Sequence, residues 1–312
     1  MNRKFFSLFV LIAGITFFTG CSDSDENEET DNTTLSNKEI VVKMTVYSEG
    51  NRYSSVDLGL DGNWVKDEIT GSYNSSDRNP YTLYLTNFES LPFPKDLLVN
   101  WGDGTETNST SHEYTQSGTY QITLKCKELR SLYVKADLTD IDISQAIDLE
   151  YLMLEEQRGG RKLKTLDVSR NKKLKVLDYS EIDVPFADVT NNIQLMYLNC
   201  SNRDFEGEYI DLDFSKNTAL RYLNCYWSGL KSLNIKGCKE LIYLDADDCD
   251  LSDETANKVY SDLPQGKIWE DDDNRTYSSQ VRIGYHNTSN GQYYKTGDIS
   301  IATKKGWNKI TY

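Results

Sequence analysis

Leucines recur with a regular spacing after residue 128. Six segments carry leucine at their first and fourth positions and an apolar residue or cysteine at their sixth. They begin at Leu129, Leu149, Leu174, Leu195, Leu220 and Leu241. The starts lie 20, 25, 21, 25 and 21 residues apart. A period of this length predicts a solenoid, in which each unit forms one coil and buries its apolar side chains against its neighbours.

Each unit also has a second half with its own pattern. It consists of an aspartate, an apolar residue and Ser or Thr, with Asn two positions later in three of the units. The pattern begins at Asp142, Asp167, Asp188 and Asp213, and a diverged version begins at Asn234. Together the two halves resemble the leucine-rich repeat, which implies that positions one, four and six point into a shared core. The Ser, Thr and Asn side chains are expected to bond backbone groups at the turns between coils.

The region between residues 38 and 127 has a different character. It is rich in β-branched and aromatic residues, with frequent turn residues between them. Residues 40–47 and 81–85 alternate apolar and polar side chains, which predicts half-buried strands. This region is therefore expected to be all-β.

A specific motif lies near the end of this region. Trp-Gly-Asp-Gly-Thr at 101–105 is followed by His112 and Tyr114 and by alternating apolar residues at 120–124. The glycines allow positive φ in a tight turn, and the aspartate can bond its own backbone there. The combination resembles the PKD-type immunoglobulin-like domain. The resemblance implies a PKD-like β-sandwich over residues 38–127, ahead of leucine-rich repeats at 128–250.

The region after the repeats predicts a helix that closes the solenoid. Ser252 suits the N-cap, acidic residues occupy the first turn, and Pro264 stops the helix. One face carries Ala256, Val259, Tyr260 and Leu263. Residues 299–307 resemble the closing segment of bacterial leucine-rich lipoproteins that join such a sandwich to such repeats. The expected fold is therefore β-rich: a PKD-like β-sandwich, then a short leucine-rich-repeat solenoid with a helical C-terminal cap at 251–312.

The first residues have the features of a secretory signal. A basic start at residues 2–4 precedes an apolar run at 5–18, which is shorter than the roughly 20 residues of a membrane span. The run ends on Phe-Thr-Gly before Cys21, which resembles a lipobox. The resemblance implies that residues 1–20 are removed as a lipoprotein signal peptide and that Cys21 is acylated. An ordinary signal peptide with a chance cysteine is the alternative.

Residues 21–37 are rich in acidic side chains. Such a run cannot pack, so we expect a solvated tether. Acidic residues behind a lipidated cysteine resemble an export signal of surface lipoproteins in gut-dwelling Gram-negative anaerobes. The resemblance implies an outer-membrane protein that is lipid-anchored and exposed on the cell surface. A plain linker, with the protein on the periplasmic side, is the alternative.

The net charge of −15 excludes some partners. Nothing in so acidic a chain would neutralise the phosphates of a nucleic acid. The same charge argues against a basic membrane-binding patch. Membrane attachment is therefore expected through the lipid alone.

Besides Cys21 the chain has five cysteines and no CxxC pair. An odd number without that spacing indicates neither a disulfide scaffold nor a zinc ribbon. Four of them fall within the repeats and are expected to act as small buried side chains: Cys200, Cys225, Cys238 and Cys249. A disulfide between Cys200 and Cys225, which occupy the same position on adjacent units, is the alternative.

The sequence offers no catalytic constellation. Of the two histidines, His112 belongs to the sandwich motif and His286 lies in a polar stretch expected to be a loop. No metalloprotease, P-loop or nucleophile-elbow motif occurs, so no catalytic residue, cofactor or metal ligand is assigned. Acidic runs at residues 245–250 and 270–274 are the candidates for calcium. Solvated acidic surfaces are the alternative, because neither run has the spacing of an EF-hand loop.

The strand positions that flank the buried leucines predict a binding surface. In a leucine-rich repeat they face the concave side, where rings give rigid contact area and short polar groups give directional hydrogen bonds. The residues concerned are Tyr151, Tyr197, Tyr222 and Tyr243 at the third position, Asn199 and Asn224 at the fifth, and Tyr226 and Trp227 beyond the sixth. We expect the tyrosines to be exposed. Tyrosines that only support neighbouring strands are the alternative.

These features predict a non-catalytic, surface-anchored binding or adhesion lipoprotein. Its ligand is expected to be a protein or a glycan that contacts the concave face. A structural or accessory subunit of an envelope complex is the alternative, because a fold does not fix a function.

Overall fold

The computed structural model describes residues 38–50, 54–63, 91–156, 163–182, 184, 186–202, 210–270, 276–287 and 292–310. The predictions for the signal peptide, Cys21, the acidic tether, the strand at 81–85 and the acidic residues at 271–274 lie outside the described residues. Within these ranges no helix is both long and apolar enough to cross a bilayer.

The N-terminal region is built from antiparallel strands. They are β1 (Ile40–Glu49), β2 (Ser55–Gly59), β3 (Lys95–Asn100), β4 (Glu106–Thr107), β5 (Ser111–Glu113) and β6 (Ser117–Lys127). Strand β1 pairs with β6 along its whole length and buries alternate residues, as predicted for residues 40–47. This confirms a β-rich region. Its assignment to the PKD-like family stays a prediction.

The turn at residues 101–105 has the predicted geometry. Gly102 and Gly104 take φ of 83° and 94°, where a side chain is strained. A Cβ on Gly102 would also come within 2.6 Å of the Gln121 carbonyl oxygen. The Asp103 Oδ1 accepts a hydrogen bond from the Thr105 amide at 3.0 Å. Both glycines and the aspartate therefore serve the turn itself.

The repeats contribute a parallel sheet. The next strands are β7 (Ser131–Lys135), β8 (Leu138–Asp142), β9 (Tyr151–Glu155), β10 (Val176–Asp178), β11 (Tyr197–Asn199), β12 (Ile210–Asp213), β13 (Tyr222–Asn224), β14 (Leu230–Asn234) and β15 (Tyr243–Asp247). Six of them, β7, β9, β10, β11, β13 and β15, pair in parallel in that order, with equivalent repeat positions opposite each other. The predicted repeat register is confirmed, and the coils form a leucine-rich-repeat-like solenoid.

The leucines of the repeat fill the core between coils. All twelve at the first and fourth positions are fully buried, and the sixth-position residues are buried with them. Burial of one such side chain stabilises the fold by roughly 1.5–3 kcal/mol. Because each leucine packs against the adjacent coil, this stabilisation exists only in the stacked array.

Asparagines connect the coils on the side opposite the sheet. The Asn192 Nδ2 donates to the carbonyl oxygens of Val168 and Asn171, at 3.1 and 2.8 Å. Asn171 and Asn217 make the same pair of bonds to the coil before each of them. The aspartates that begin these second halves accept a bond from the backbone two residues on, as Asp188 does from Thr190. The asparagines thus bond backbone groups between coils, as predicted. At the turn itself the aspartate side chain accepts the backbone hydrogen bond that had been predicted for Ser or Thr.

The N-terminal region and the repeats share both of their sheets. Strand β7 pairs antiparallel with β2, and β2 with β5, so the repeat sheet continues into the first region. Strand β8, from the second half of the first repeat, pairs with β1 of the five-stranded sheet. The first coil is therefore covered by hydrogen-bonded strands as well as by side chains.

The C-terminal region closes the other end. It contains α1 (Asp253–Asp262), β16 (Ile268–Glu270), β17 (Thr276–Ser278), β18 (Gln280–Asn287), β19 (Gln292–Lys295), α2 (Ser300–Thr303) and β20 (Asn308–Lys309). Helix α1 begins as predicted, with the Ser252 Oγ accepting from the Thr255 amide. Strand β18 pairs in parallel with β15 and extends the repeat sheet. His286 lies in β18, so the prediction of a loop there was wrong, because the chain folds back at this point and β19 pairs antiparallel with the end of β18.

The first testable prediction concerns the repeat core. Leu198→Ala or Leu223→Ala should lower the free energy of unfolding by about 2–5 kcal/mol, because each change leaves a cavity between two coils. Both leucines are fully buried. Chemical denaturation of the variants measures the loss.

The control is Lys216→Ala, at an exposed position of the same coils. It should change the unfolding free energy by less than about 0.5 kcal/mol. Equally small effects at the leucines and at Lys216 would contradict the register.

Candidate functional site

The third-position tyrosines form a stacked column. The Tyr197 and Tyr222 rings have centroids 4.5 Å apart and planes 7° apart. Tyr222 and Tyr243 continue the stack at 4.4 Å and 4°. These spacings follow from the distance of about 4.8 Å between neighbouring strands. The predicted side-by-side arrangement of these three rings is confirmed.

The prediction that these rings are exposed was wrong. Tyr197 and Tyr222 are each only 4% exposed, and Tyr151 and Tyr243 are also buried. They belong to a second apolar cluster on this face of the sheet, which also contains Leu91 and Ile310. Met153, Met196 and Trp269 pack against it. The column is buried in a cluster to which segments from outside the repeats contribute apolar side chains.

The fifth-position residues mostly support the fold. The buried Asp178 Oδ2 accepts from the Tyr197 hydroxyl at 3.2 Å and from the Asn199 Nδ2 at 3.1 Å. Burial raises the pKa of Asp178, although these donors oppose the shift. Asn199 and Asn224 are half-buried, and the Asn224 Oδ1 accepts from the Tyr226 amide at 3.1 Å. These polar groups hold strands and rings in place.

A buried ion-pair network joins the last coil to β18. The Arg282 Nη2 lies 2.7 Å from the Asp245 Oδ2, and its Nε lies 3.1 Å from the Asp245 Oδ1. The Asp247 Oδ2 lies 3.4 Å from the same Nε. All three side chains are at most 5% exposed. Burial raises the pKa of Asp245, and the Arg282 guanidinium opposes that shift.

Beyond the strands, the chain turns at the same position in successive coils. Hydrogen bonds join Glu181 to Ser201, Asn202 to Tyr226, Trp227 to Asp247 and Asp248 to Gly284, at 2.8–3.0 Å. The first residue of each pair therefore lies in one row, two positions past the sixth repeat position. On β18, Tyr285 follows Gly284 and continues the row, and its ring stacks on Tyr294 of β19 at 5.1 Å.

The C-terminal part of this row is rich in aromatic side chains and is partly exposed. We call it the strand-end rim, and it consists of Tyr226, Trp227, Asp248, Tyr285 and Tyr294. Trp227 is 37% and Tyr285 45% exposed. They are two of the three exposed large aromatic side chains in the described part of the chain. The Tyr226 and Trp227 rings meet edge to face at 5.9 Å.

Trp227 holds a backbone conformation that its side chain disfavours. Its φ is +54°, and Asp248 and Glu181 share this left-handed conformation at their own turns. For a bulky residue that conformation costs on the order of 1 kcal/mol. The ring is 37% exposed, so burial of the rest of its surface offsets that cost while part of the ring stays open to a ligand.

Tyr226 ties the rim to the buried network below it. The Arg282 guanidinium lies over the Tyr226 ring, 5.3 Å from its centroid. Burial and the neighbouring Asp248 carboxylate, which accepts from the hydroxyl, raise the pKa of Tyr226 to about 12. The phenol therefore stays protonated at neutral pH and keeps donating to Asp248. The ring is held on both its face and its hydroxyl.

The remaining candidates for chemistry are structural. The five cysteines of the described ranges are free and buried, and burial raises the pKa of Cys200 to about 12. The Cys200–Cys225 disulfide is therefore absent. Asp245 and Asp247 face Arg282, and among the described residues no cluster of His, Cys, Asp or Glu could hold a metal ion. What the rim offers is ring faces beside a carboxylate, which suits binding.

Sequence reasoning identified part of this rim. Tyr226 and Trp227 were predicted as ligand-binding residues, and Asp248 occupies the same repeat position as Trp227. Tyr285 and Tyr294 were missed, because β18 lacks the leucine spacing of the repeats. The signal that could have found β18 is its own sequence pattern, in which Val281, Ile283 and Tyr285 alternate with Arg, Gly and His.

Comparison with known proteins gives one structural likeness. The sequence matches no protein-family model and no curated protein. A solved structure, the functional domain of InlJ from Listeria monocytogenes, which includes a cysteine ladder, aligns with 17% identity and a TM-score of 0.35. The alignment covers 64% of this chain and 43% of that chain. At this level the likeness carries no argument about function, and the solenoid assignment rests on strand register and leucine burial.

The second prediction concerns the frame beneath the rim. Arg282→Met should lower the free energy of unfolding by about 3–5 kcal/mol, because it leaves buried carboxylates without their cation. The control is Lys258→Met, which breaks the exposed Lys258–Asp262 pair and should cost less than about 1 kcal/mol. Thermal or urea unfolding measures both. An Arg282→Met loss no larger than that of Lys258→Met would show that the network does not fix β18.

Proposed function

We propose that this chain is a non-catalytic binding protein, displayed on the cell surface by a lipid at Cys21, that recognises a protein or glycan ligand through its strand-end rim. The observation that carries the proposal is Trp227, which is exposed and held in a left-handed backbone conformation. Such outliers are found where surrounding structure imposes them for a function.

The proposal places the binding surface away from the tyrosine column. Those rings are buried in an apolar cluster that includes Leu91 and Ile310, so a ligand would have to displace packed apolar side chains to reach them. The rim requires no such rearrangement. Its rings stand on strands fixed by the buried Arg282 pairs, and a rigid surface loses little conformational entropy on binding.

The third prediction separates a binding role from a structural one for Trp227. Trp227→Gly relieves the left-handed backbone strain but loses the apolar contacts of a ring that is only 37% exposed, so we expect the free energy of unfolding to fall by no more than about 2 kcal/mol. Binding of the full-length protein, purified in detergent, to printed arrays of glycans and proteins should fall at least about tenfold, as for a central aromatic anchor.

A matched control is Ile193→Ala, which shortens another exposed apolar side chain far from the rim in the repeats. It should leave binding unchanged. Two results would overturn the proposal: no glycan or protein bound by the unmodified chain, or bound ligands retained equally by Trp227→Gly and Ile193→Ala.

The fourth prediction concerns the anchor. Cys21→Ala should abolish incorporation of a labelled fatty acid, because the acylated thiol is gone, whereas Cys126→Ala should keep it. Metabolic labelling measures this. Undiminished label in Cys21→Ala would refute the anchor, and complete protection from protease added to intact cells would place the protein inside the outer membrane.

A further inference from the structure

The rim combines ring faces with negative charge, and this limits its ligand. Asp248 lies in the row between Trp227 and Tyr285, one strand from each. Adjacent strands are about 4.8 Å apart, so the backbone positions of these two exposed aromatic residues are roughly 10 Å apart, with that of Asp248 between them. A second carboxylate, that of exposed Glu181, lies further along the same row.

One ring of the rim already faces a guanidinium. Arg282 stacks its guanidinium over the Tyr226 ring at 5.3 Å and pairs with two carboxylates. That inner cation is therefore fully compensated. The outer side presents the same two elements, aromatic faces and the carboxylate of Asp248. Cations over aromatic faces gain about 0.5–1 kcal/mol at exposed sites and more when water is excluded.

The charge of the whole chain acts in the same direction. At −15 it attracts cationic partners over distances of about a Debye length and repels anionic ones. Lys295, exposed beside Tyr294, is a single basic residue at the end of the rim. Sulfated or sialylated glycans and acidic proteins are accordingly disfavoured.

From these observations we infer that the rim binds an arginine- or lysine-bearing segment of a partner protein, with a cationic side chain between Trp227 and Tyr285 and beside Asp248. The inference rests on the proposed binding function and adds the chemistry of its ligand. A neutral glycan could stack on the same rings, but it would gain nothing from the net charge of the carboxylates.

The test uses two synthetic peptides of alternating glycine and arginine, or glycine and citrulline. Citrulline is the neutral isostere of arginine, so the pair differs in charge alone. Full-length protein in detergent should bind the arginine peptide, with affinity falling as ionic strength rises, and should bind the citrulline peptide at least about fivefold more weakly. Fluorescence polarisation of labelled peptides measures both affinities.

Variants distinguish the rim from general attraction to an acidic protein. Trp227→Gly keeps the net charge of the protein and should lower its affinity for the arginine peptide at least about fivefold. Asp248→Asn should do the same, and asparagine tolerates the left-handed backbone. Asp167→Asn removes the same charge from an exposed turn on the other side of the coils and should change affinity less than about twofold.

The outcomes separate this inference from the proposal beneath it. Equal binding of the two peptides, or equal effects of Asp248→Asn and Asp167→Asn, overturns the cationic ligand. A different result is that the protein binds no arginine peptide but binds an uncharged glycan, and loses that binding in Trp227→Gly. This result overturns the cationic ligand and sustains the proposed function. If Trp227→Gly weakens neither arginine-peptide binding nor glycan binding, both the inference and the proposed function are contradicted.

Discussion

A coil of this solenoid cannot bury its own apolar side chains. Its first- and fourth-position leucines are fully buried only because another coil lies against them, and the ladder of asparagine bonds likewise runs from one coil to the one before it. Stacked repeats of this kind depend on their neighbours and need covered ends. The rest of the architecture meets that requirement.

The two ends are covered by extending the same sheet. Strands β2 and β5 add to one edge and β18 and β19 to the other, so the terminal leucines meet structure on both sides. The covering segments also reach over the face of the sheet. Leu91 from the first region and Ile310 from the last belong to the apolar cluster that contains the tyrosine column. What stays exposed is the ends of the strands, where backbone turns place Trp227 and Asp248 beside Tyr285.

The parts predicted from sequence are those that depend on local pattern. The leucine register, the Ser252 cap and the turn at Gly102 each arise from residues close together in the chain. The burial of Tyr222 could not be predicted in this way, because its apolar cluster includes residues far from it in sequence, Leu91 and Ile310 among them. Strand β18 was missed for a similar reason. Its pairing is set by the open edge of β15 and by Arg282, and neither follows the repeat.

The candidate site shows the same division. Repeat position alone placed Trp227 in line with Asp248, since both follow the sixth position by two residues. Its left-handed backbone and its proximity to Tyr285 required the folded chain. For the tyrosines, the structure favours the alternative that they support neighbouring strands. Their rings stack at 4.4–4.5 Å and fill the space above the sheet.

We infer that the aromatic side chains accessible to a ligand lie on the rim, because the rings of the tyrosine column are buried. Hydroxyl-radical footprinting of the folded protein, with mass spectrometry of its peptides, tests this most directly. Trp227 and Tyr285 should be oxidised rapidly, while Tyr197, Tyr222 and Tyr243 should be protected until the protein is unfolded. If Tyr222 in the folded protein is oxidised as fast as Tyr285, the tyrosine column is open to solvent and the rim is not the distinct accessible aromatic surface.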